Sequence, residues 1–172
     1  MILRELELKD QKAFLELLEN WDGASGFNML YDLIAEMDFS SYLNILRESK
    51  EGVNLPEGNV PSTSLFAFKG SEIIGKVSIR HTLNQYLENA GGHIGYGVLP
   101  NYRGQGYATQ MLRESLRYCQ KLGLKKVLVT CDETNLGSVK VIEKNGGVFE
   151  NFFDPKDTGP RKMRFWITFP SS

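Results

Sequence analysis

The stretch Val98-Leu99-Pro100-Asn101-Tyr102-Arg103-Gly104-Gln105-Gly106-Tyr107-Ala108 decides the fold. It follows a segment of alternating polar and apolar residues and opens a segment with helical spacing. The first amides of a helix have no partner within it, and the helix dipole favours an anion there. Gly104 and Gly106 permit close backbone approach, and Arg103 adds a charged donor. The stretch predicts an anion-binding strand–loop–helix junction, although a plain tight turn would also use two glycines.

Two other phosphate motifs fit this junction poorly. A P-loop requires Gly-Lys-Ser/Thr, which does not occur in the chain. The dinucleotide-binding fingerprint requires a third glycine where Thr109 stands, although Asp132 could imitate its ribose-binding acid. The three strands predicted before the junction leave no room in so short a chain for a doubly wound sheet.

The segments before the junction alternate between helical and strand periodicity. Asp22–Gly26 breaks the first helical run, and Asp38 is suited to cap the later half of the second. The Glu51–Thr63 loop has no period. Gly70-Ser71 is a hairpin signal, and Asn84–Gly91 is predicted to be a polar loop. The predicted elements are a strand Met1–Leu6, helices Lys9–Trp21 and Phe27–Glu48, and strands Ser64–Lys69, Glu72–Arg80 and Gly92–Val98.

The segments after the junction complete the fold prediction. The helix Gln105–Lys121 has one apolar face and ends at Gly123. A strand Lys125–Cys131, a helix Asn135–Lys144 and strands Val148–Phe153 and Arg161–Phe169 follow. We predict a single α+β domain over residues 1–172, with a mixed, mostly antiparallel sheet of about seven strands, about four flanking helices and one βαβ crossover.

Composition excludes several classes of protein. The 172 residues are 41% hydrophobic and 24% charged with a formal net charge of -1, so neither disorder nor a nucleic-acid partner is indicated. The sequence contains no membrane-length apolar run and no signal-peptide core, so we expect no membrane partner and a cytoplasmic protein. Cys119 and Cys131 lack the spacing of a zinc site, so we expect no metal and two free, partly buried thiols.

The junction resembles the signature of a known family. Arg103-Gly104-Gln105-Gly106-Tyr107-Ala108 matches R/Q-x-x-G-x-G/A of the GNAT superfamily of N-acetyltransferases. Glu72-Ile-Ile-Gly-Lys-Val77 is similar to the family's strand before the cofactor strand. Asn135-Leu-Gly-Ser138 with Glu143-Lys-Asn-Gly-Gly147 is similar to its later segment. The resemblance covers nearly the whole chain and extends to the order of elements.

The resemblance implies an enzyme that transfers acetyl directly from acetyl-CoA, used as a cosubstrate, to a primary amine. Backbone groups of Val98 and Leu99 would pair with the pantetheine arm, and amides of the junction would hold the pyrophosphate. Asn135 would contact the arm, although capping its helix is an equal alternative. The implied cofactor-binding residues are Val98, Leu99, Arg103, Gly104, Gln105, Gly106, Tyr107, Ala108, Asn135, Ser138 and Lys144.

The catalytic residues are less determined. His93 is the candidate general base because its ordinary pKa suits neutral pH, although a structural histidine is equally compatible. Glu88 is the alternative base, and His81 and Asp132 are weaker candidates. Many relatives place a tyrosine that protonates the departing thiolate where this chain has Ile142. Tyr102 and Tyr107 are near in sequence, but packing explains them as well.

The acceptor is expected between the Glu51–Thr63 loop, the Asn84–Gly91 loop and the final hairpin. It would be a small-molecule amine or a peptide, attracted by acidic loop residues such as Asp22, Glu51, Glu57, Glu88 and Asp154. A homodimer is compatible with the resemblance. The alternative function is a catalytically weak or inactive CoA-binding module, which Ile142 keeps open.

Overall fold

The computed structural model describes residues 1–21, 37–156 and 159–170. The predicted break at Asp22–Gly26 and residues 27–36 of the second predicted helix lie outside this part of the chain. The strands are β1 Ile2–Arg4, β2 Ser62–Lys69, β3 Glu72–Arg80, β4 Ile94–Val98, β5 Lys126–Asp132, β6 Val148–Phe153 and β7 Lys162–Thr168. The helices are α1 Gln11–Asn20, α2 Phe39–Glu51, α3 Tyr107–Lys121 and α4 Leu136–Lys144.

The seven strands form two antiparallel sheets. The first has the order β1-β2-β3-β4, and the second has the order β5-β7-β6. The three strands predicted before the junction therefore form an antiparallel meander, with Val77 opposite Tyr96 and Thr63 opposite Ile79. The α+β class and the number of strands are confirmed. The division into two sheets was not predicted, and it makes β4 and β5 facing edge strands joined through α3.

The first sheet separates two apolar clusters because successive side chains of a strand point to opposite faces. Leu65 and Ala67 of β2 pack toward α3 and α4, whereas Phe66 and Phe68 pack toward α1 and α2. The apolar face predicted for α3 is the buried one, formed by Met111, Leu112, Ser115, Leu116 and Cys119. Both cysteines are free and buried, as predicted.

Local signals at the helix ends are confirmed. The Asp38 carboxylate caps α2 by accepting from the Ser41 amide at 3.0 Å. Gly123 follows α3 with φ +83°, in the left-handed region where glycine is favoured. The predicted loop Asn84–Gly91 differs from expectation, because Leu87–Gly91 form a π-helical turn. Buried Leu87 and Ala90 anchor this turn although its other residues are polar. No helix in the described ranges is long and apolar enough to cross a membrane.

Close approach between β3, β4 and α3 depends on Gly75. A Cβ at this position would lie 2.5 Å from the Gly97 carbonyl oxygen and 3.0 Å from Met111 Cε. We expect Gly75→Ala to lower the free energy of unfolding by about 1–3 kcal/mol, because the backbone must shift to relieve the overlap. Urea denaturation measures this change. Gly137→Ala is the control, since its Cβ would meet only Asn135 Oδ1 at 3.5 Å; equal stability losses in both variants would contradict the close-approach argument.

Candidate active site

The two sheets are joined at one end and open at the other. The His93 amide donates to the Leu128 carbonyl at 2.7 Å, and the Leu128 amide donates to His93 Nδ1 at 3.0 Å. Thr130 Oγ1 adds a bond to the Ala90 carbonyl at 2.6 Å. Beyond this point β4 and β5 do not pair with each other, because β4 pairs with β3 and β5 pairs with β7. A wedge, defined as the space between Ile94–Val98 and the end of β5, therefore opens between the facing edges.

The register determines which backbone groups of β4 face the wedge. The Leu99 amide donates to the Ile74 carbonyl at 2.9 Å, so Leu99 belongs to a hydrogen-bonded pair with β3. In an antiparallel ladder such pairs alternate with pairs whose N–H and C=O groups point outward. Ile94, Tyr96 and Val98 occupy the outward positions. The Val98 carbonyl accepts from Arg103 Nε at 3.1 Å. The open edge is thus formed by Ile94, Tyr96 and Val98, whereas the Leu99 amide is occupied.

A cleft of about 710 Å³ continues from the wedge toward the loops. Its walls come from the end of α2, the 52–61 loop, the 82–91 segment, β4, β5 and α4. From the final hairpin Lys162 reaches it. The cleft thus joins the regions that sequence analysis predicted for the acceptor. The junction residues Arg103–Ala108 are not among its lining residues and lie past the far end of β4.

The junction has the geometry of an open cradle. After a 3₁₀ turn at Pro100–Tyr102, Gly104 has φ +74° and Gly106 has φ +85°. A Cβ added at either glycine would meet no atom within 4 Å. Gly106 is the N-cap of α3 and has no side chain with which to cap the first turn, which also contains no acidic residue. The first amides of α3 and the helix dipole therefore face free space, which suits an anion.

Helix α4 brings two predicted residues to the cleft. The Asn135 side chain accepts from the Ser138 amide at 3.0 Å, so Asn135 does cap α4. Asn135 and Ser138 both line the cleft. Lys144, at the other end of α4, is exposed and does not line it. The structure therefore places Asn135 and Ser138 beside the wedge and Lys144 on the surface.

Tyr96 is a residue of the wedge that sequence analysis did not select. Its hydroxyl is buried without a hydrogen-bond partner among the described residues; Ser138 faces it without a bond of full geometry. Burial raises the pKa of Tyr96, so the hydroxyl stays protonated. The alternation of Ile94, Tyr96 and Val98 on one face was the signal that could have identified it. Tyr102 and Tyr107 lie elsewhere, in edge-to-face contact 5.9 Å apart.

The position of His93 argues against its predicted role as general base. The side chain is 7% exposed and does not line the cleft, and Nδ1 accepts from the Leu128 amide. The ring packs edge-to-face on Trp166, with centroids 6.3 Å apart. Burial, followed by the positive charge of Arg80, lowers the pKa of His93 to about 4. His93 thus links the two sheets, an arrangement that agrees with the alternative interpretation of a structural histidine.

The other candidate bases differ in position. Glu88 does not line the cleft, and its carbonyl accepts from Arg164 Nε at 3.0 Å. His81 Nε2 lies 2.9 Å from Thr63 Oγ1, away from the wedge. Asp132 lines the cleft but pairs with Lys162. Glu48, which sequence analysis missed, also lines it and accepts from Asn54 Nδ2 at 3.0 Å.

Most acidic residues expected around the acceptor are not in the cleft. Glu51, Glu57, Glu88 and Asp154 are absent from its described lining, and Asp22 lies outside the described residues. Glu48 and Asp132 are the carboxylates that the described lining contains. Negative charge in the cleft therefore comes from the end of α2 and from β5.

Comparison with known proteins identifies the family. The sequence model of a family described as "Acetyltransferase (GNAT) domain" matches residues 1–148. The chain belongs to the GNAT family of acetyltransferases. The predicted enzyme class, an N-acetyltransferase, agrees with this membership and with a relative described as "Uncharacterized N-acetyltransferase YnaD" from Bacillus subtilis. That relative is 26% identical over 168 residues, covering 96% of this chain and 88% of its own.

Solved structures share the GNAT fold of this chain. RimJ from Mycobacterium smegmatis, in complex with CoA-disulfide, has a TM-score of 0.68 at 20% identity, over 96% of this chain and 80% of its own. The putative acetyltransferase yncA from Salmonella typhimurium, with its cofactor acetyl-CoA, has a TM-score of 0.65 at 11% identity, over 99% and 95%. The predicted fold class is thereby confirmed.

The structural role of His93 generates a pH prediction. Its pKa falls from an ordinary 6.5 to about 4 on folding, so below pH 6.5 the unfolded chain binds the proton more readily. The stability that neutral His93 contributes is complete above pH 6.5 and is lost as the pH falls toward 4, by about 3 kcal/mol at most. Urea unfolding between pH 4.5 and 7 measures it.

His93→Asn is the matched variant, because the amide oxygen can accept from Leu128 and carries no titratable proton. We expect its stability to fall less steeply with decreasing pH than that of the wild type. Identical slopes for the two proteins would show that His93 is not buried in its neutral form.

Proposed function

We propose that the protein is a cytoplasmic, acetyl-CoA-dependent N-acetyltransferase that moves acetyl directly to a primary amine of a small molecule or peptide. The observation that most supports this proposal is that the outward backbone groups of β4 and the first amides of α3 lie one after the other. The open edge of β4 faces the wedge, and the uncapped first turn of α3 begins just beyond the same strand. An extended ligand with an anionic group at one end matches this arrangement.

The chain's own groups suggest how acetyl-CoA would be held. The pyrophosphate would lie on the amides of Gly104 to Ala108, with Arg103 as the charged donor. The pantetheine arm would pair with outward groups of Val98 and Tyr96 in the manner of an added strand. The Leu99 amide would not contact the arm, because it donates to the Ile74 carbonyl. Asn135 and Ser138 would line the other side of the arm, and Lys144 would remain peripheral.

This binding mode is tested with Gly106→Trp. We expect acetyl-CoA affinity to fall roughly 100-fold, because the indole would fill the space above the first turn of α3. Isothermal titration calorimetry measures it, with one-to-one binding expected for the wild type.

Gly123→Trp is the matched control. Gly123 has φ +83°, close to the +85° of Gly106, and also has no atom within 4 Å of a Cβ, but it lies past the other end of α3. Both variants therefore suffer similar backbone strain. Wild-type affinity in Gly106→Trp, or equal losses in both variants, would reject the proposed phosphate site.

Transfer to an amine requires two further contributions from the protein. The amide of Tyr96 points into the wedge and is suited to stabilise negative charge on the carbonyl oxygen of the thioester. The amine must also lose a proton, since a free alkylamine has a pKa near 10.4. Glu48 is the better proton acceptor of the two cleft carboxylates, because Lys162 already neutralises Asp132.

Glu48→Gln tests the assignment of the proton acceptor. We expect kcat to fall about 100-fold with acetyl-CoA affinity unchanged, because the amide cannot accept the amine's proton. The assay follows release of free thiol from acetyl-CoA with a panel of primary amines. Glu51→Gln is the control, since Glu51 ends the same helix outside the cleft.

The Glu48→Gln variant and the wild-type assay test different parts of the proposal. Unchanged kcat in Glu48→Gln would move the proton acceptor elsewhere. A wild-type protein that binds acetyl-CoA and turns over none of the amines would favour the alternative, a CoA-binding module without transfer activity.

A further inference from the structure

The Tyr96 hydroxyl is a polar group buried in the wall of the cleft. It has no hydrogen-bond partner among the described residues, and no other buried side-chain oxygen or nitrogen of these residues shares this property. Buried hydroxyls are ordinarily hydrogen-bonded, and each exception calls for a physical reason. A phenylalanine would fill the same apolar position without this cost. The unsatisfied hydroxyl therefore points to a partner that arrives with a ligand.

The surroundings of the hydroxyl limit what that partner can be. Tyr96 lies at the middle outward position of β4 and lines the cleft. Ser138 of α4 and Cys131 of β5 face the hydroxyl, and Cys131 is itself a neutral thiol because burial raises its pKa to about 11. No cationic side chain is among the groups that act on it. The hydroxyl can therefore donate to a group that is weakly polar or becomes anionic.

Helix geometry relates this position to Ile142. Residues four apart on a helix share a face, so Ser138 and Ile142 lie one above the other on α4. Ile142 is fully buried and offers no donor, whereas the Tyr96 hydroxyl approaches the same face of α4 from β4. The donor that α4 lacks is thus present on the opposite wall of the wedge.

We propose that the Tyr96 hydroxyl donates a hydrogen bond to the sulfur of CoA as the thioester is cleaved. This inference rests on the proposed acetyltransferase function. The pantetheine arm would start at the first turn of α3 and run along the open edge toward the beginning of β4. It would pass Val98 and then reach Tyr96, where the wedge meets the cleft. The reacting thioester would lie beside this hydroxyl.

The chemistry at this atom is donation without full proton transfer. The amine nitrogen forms a bond to the carbonyl carbon with its lone pair, and the C–S bond breaks with its electron pair remaining on sulfur. The amine proton passes through Glu48 to water. A thiol is more acidic than a phenol, so the tyrosine keeps its proton and stabilises the thiolate by a charge-assisted bond. Burial holds Tyr96 in the protonated form that this role requires.

Tyr96→Phe tests the proposal with three measurements on the full chain. We expect kcat to fall about 10- to 100-fold while the KM for acetyl-CoA changes little, because the bond forms as charge develops on sulfur. The pKa of the thiol of bound CoA, followed by thiolate absorbance in the binary complex, should rise by about one unit. The melting temperature of the ligand-free protein should stay the same or rise, since the variant removes an unsatisfied group.

Tyr118→Phe is the matched control. It also removes one hydroxyl, which lies 3.3 Å from Thr63 Oγ1 outside the cleft. We expect wild-type kcat and an unchanged thiol pKa for this variant. The Cys131 thiol titrates above the range of the CoA thiol, and a CoA-free sample supplies the blank.

The outcomes separate this inference from the function on which it rests. If the wild type turns over amines but Tyr96→Phe has wild-type kcat and an unchanged thiol pKa, Tyr96 is not the donor and the acetyltransferase function stands. A lower melting temperature with parallel losses of kcat and CoA affinity would instead make the hydroxyl structural, which overturns the inference. Absence of CoA binding by the wild type would overturn both proposals.

Discussion

The pair of hydrogen bonds between His93 and Leu128 is the constraint on which the site depends. One bond is a backbone bond, and the other uses the imidazole Nδ1 as an acceptor for an amide of β5. Together they join the sheets at the start of β4 and leave its remainder unpaired on that side. A continuous ladder between β4 and β5 would use the same backbone groups that now face the wedge. The incomplete joining of the sheets therefore creates the open edge.

The crossover through α3 gives this open edge a direction. Because α3 starts just after β4 and returns the chain to β5, its first turn lies beyond the far end of the wedge. Gly104 and Gly106 both adopt left-handed conformations, so the junction reaches α3 without placing a Cβ over the amides. The backbone groups for strand-like pairing and the amides for anion binding thus follow one another along β4 and the start of α3. A single long ligand can therefore contact both.

The parts of the fold set by local periodicity were predictable from the sequence. Alternation along β2 and β3, the apolar face of α3, and the caps at Asp38 and Gly123 each depend on neighbours in sequence, and all are confirmed. The point at which the two sheets are joined depends on a histidine nitrogen and an amide 35 residues apart, for which no local pattern exists. The same applies to His93: its residue type suggested catalysis, whereas its burial and its bond to Leu128 depend on residues distant in sequence. Glu48 was overlooked because its helix reaches the cleft only through tertiary packing.

Several polar groups of the site are available to a ligand. The Val98 carbonyl already accepts from Arg103. The other outward groups of β4 and the first turn of α3 can be hydrated, since the wedge and junction are open, but the Tyr96 hydroxyl is buried. A ligand that satisfies all three at once binds the folded chain and not the unfolded one, so it adds its binding free energy to the stability of the fold. Recognition of a ligand along β4 is thereby linked to the stability of the fold. Placing the buried donor on β4, and not on α4, couples recognition of the arm to stabilisation of the leaving sulfur.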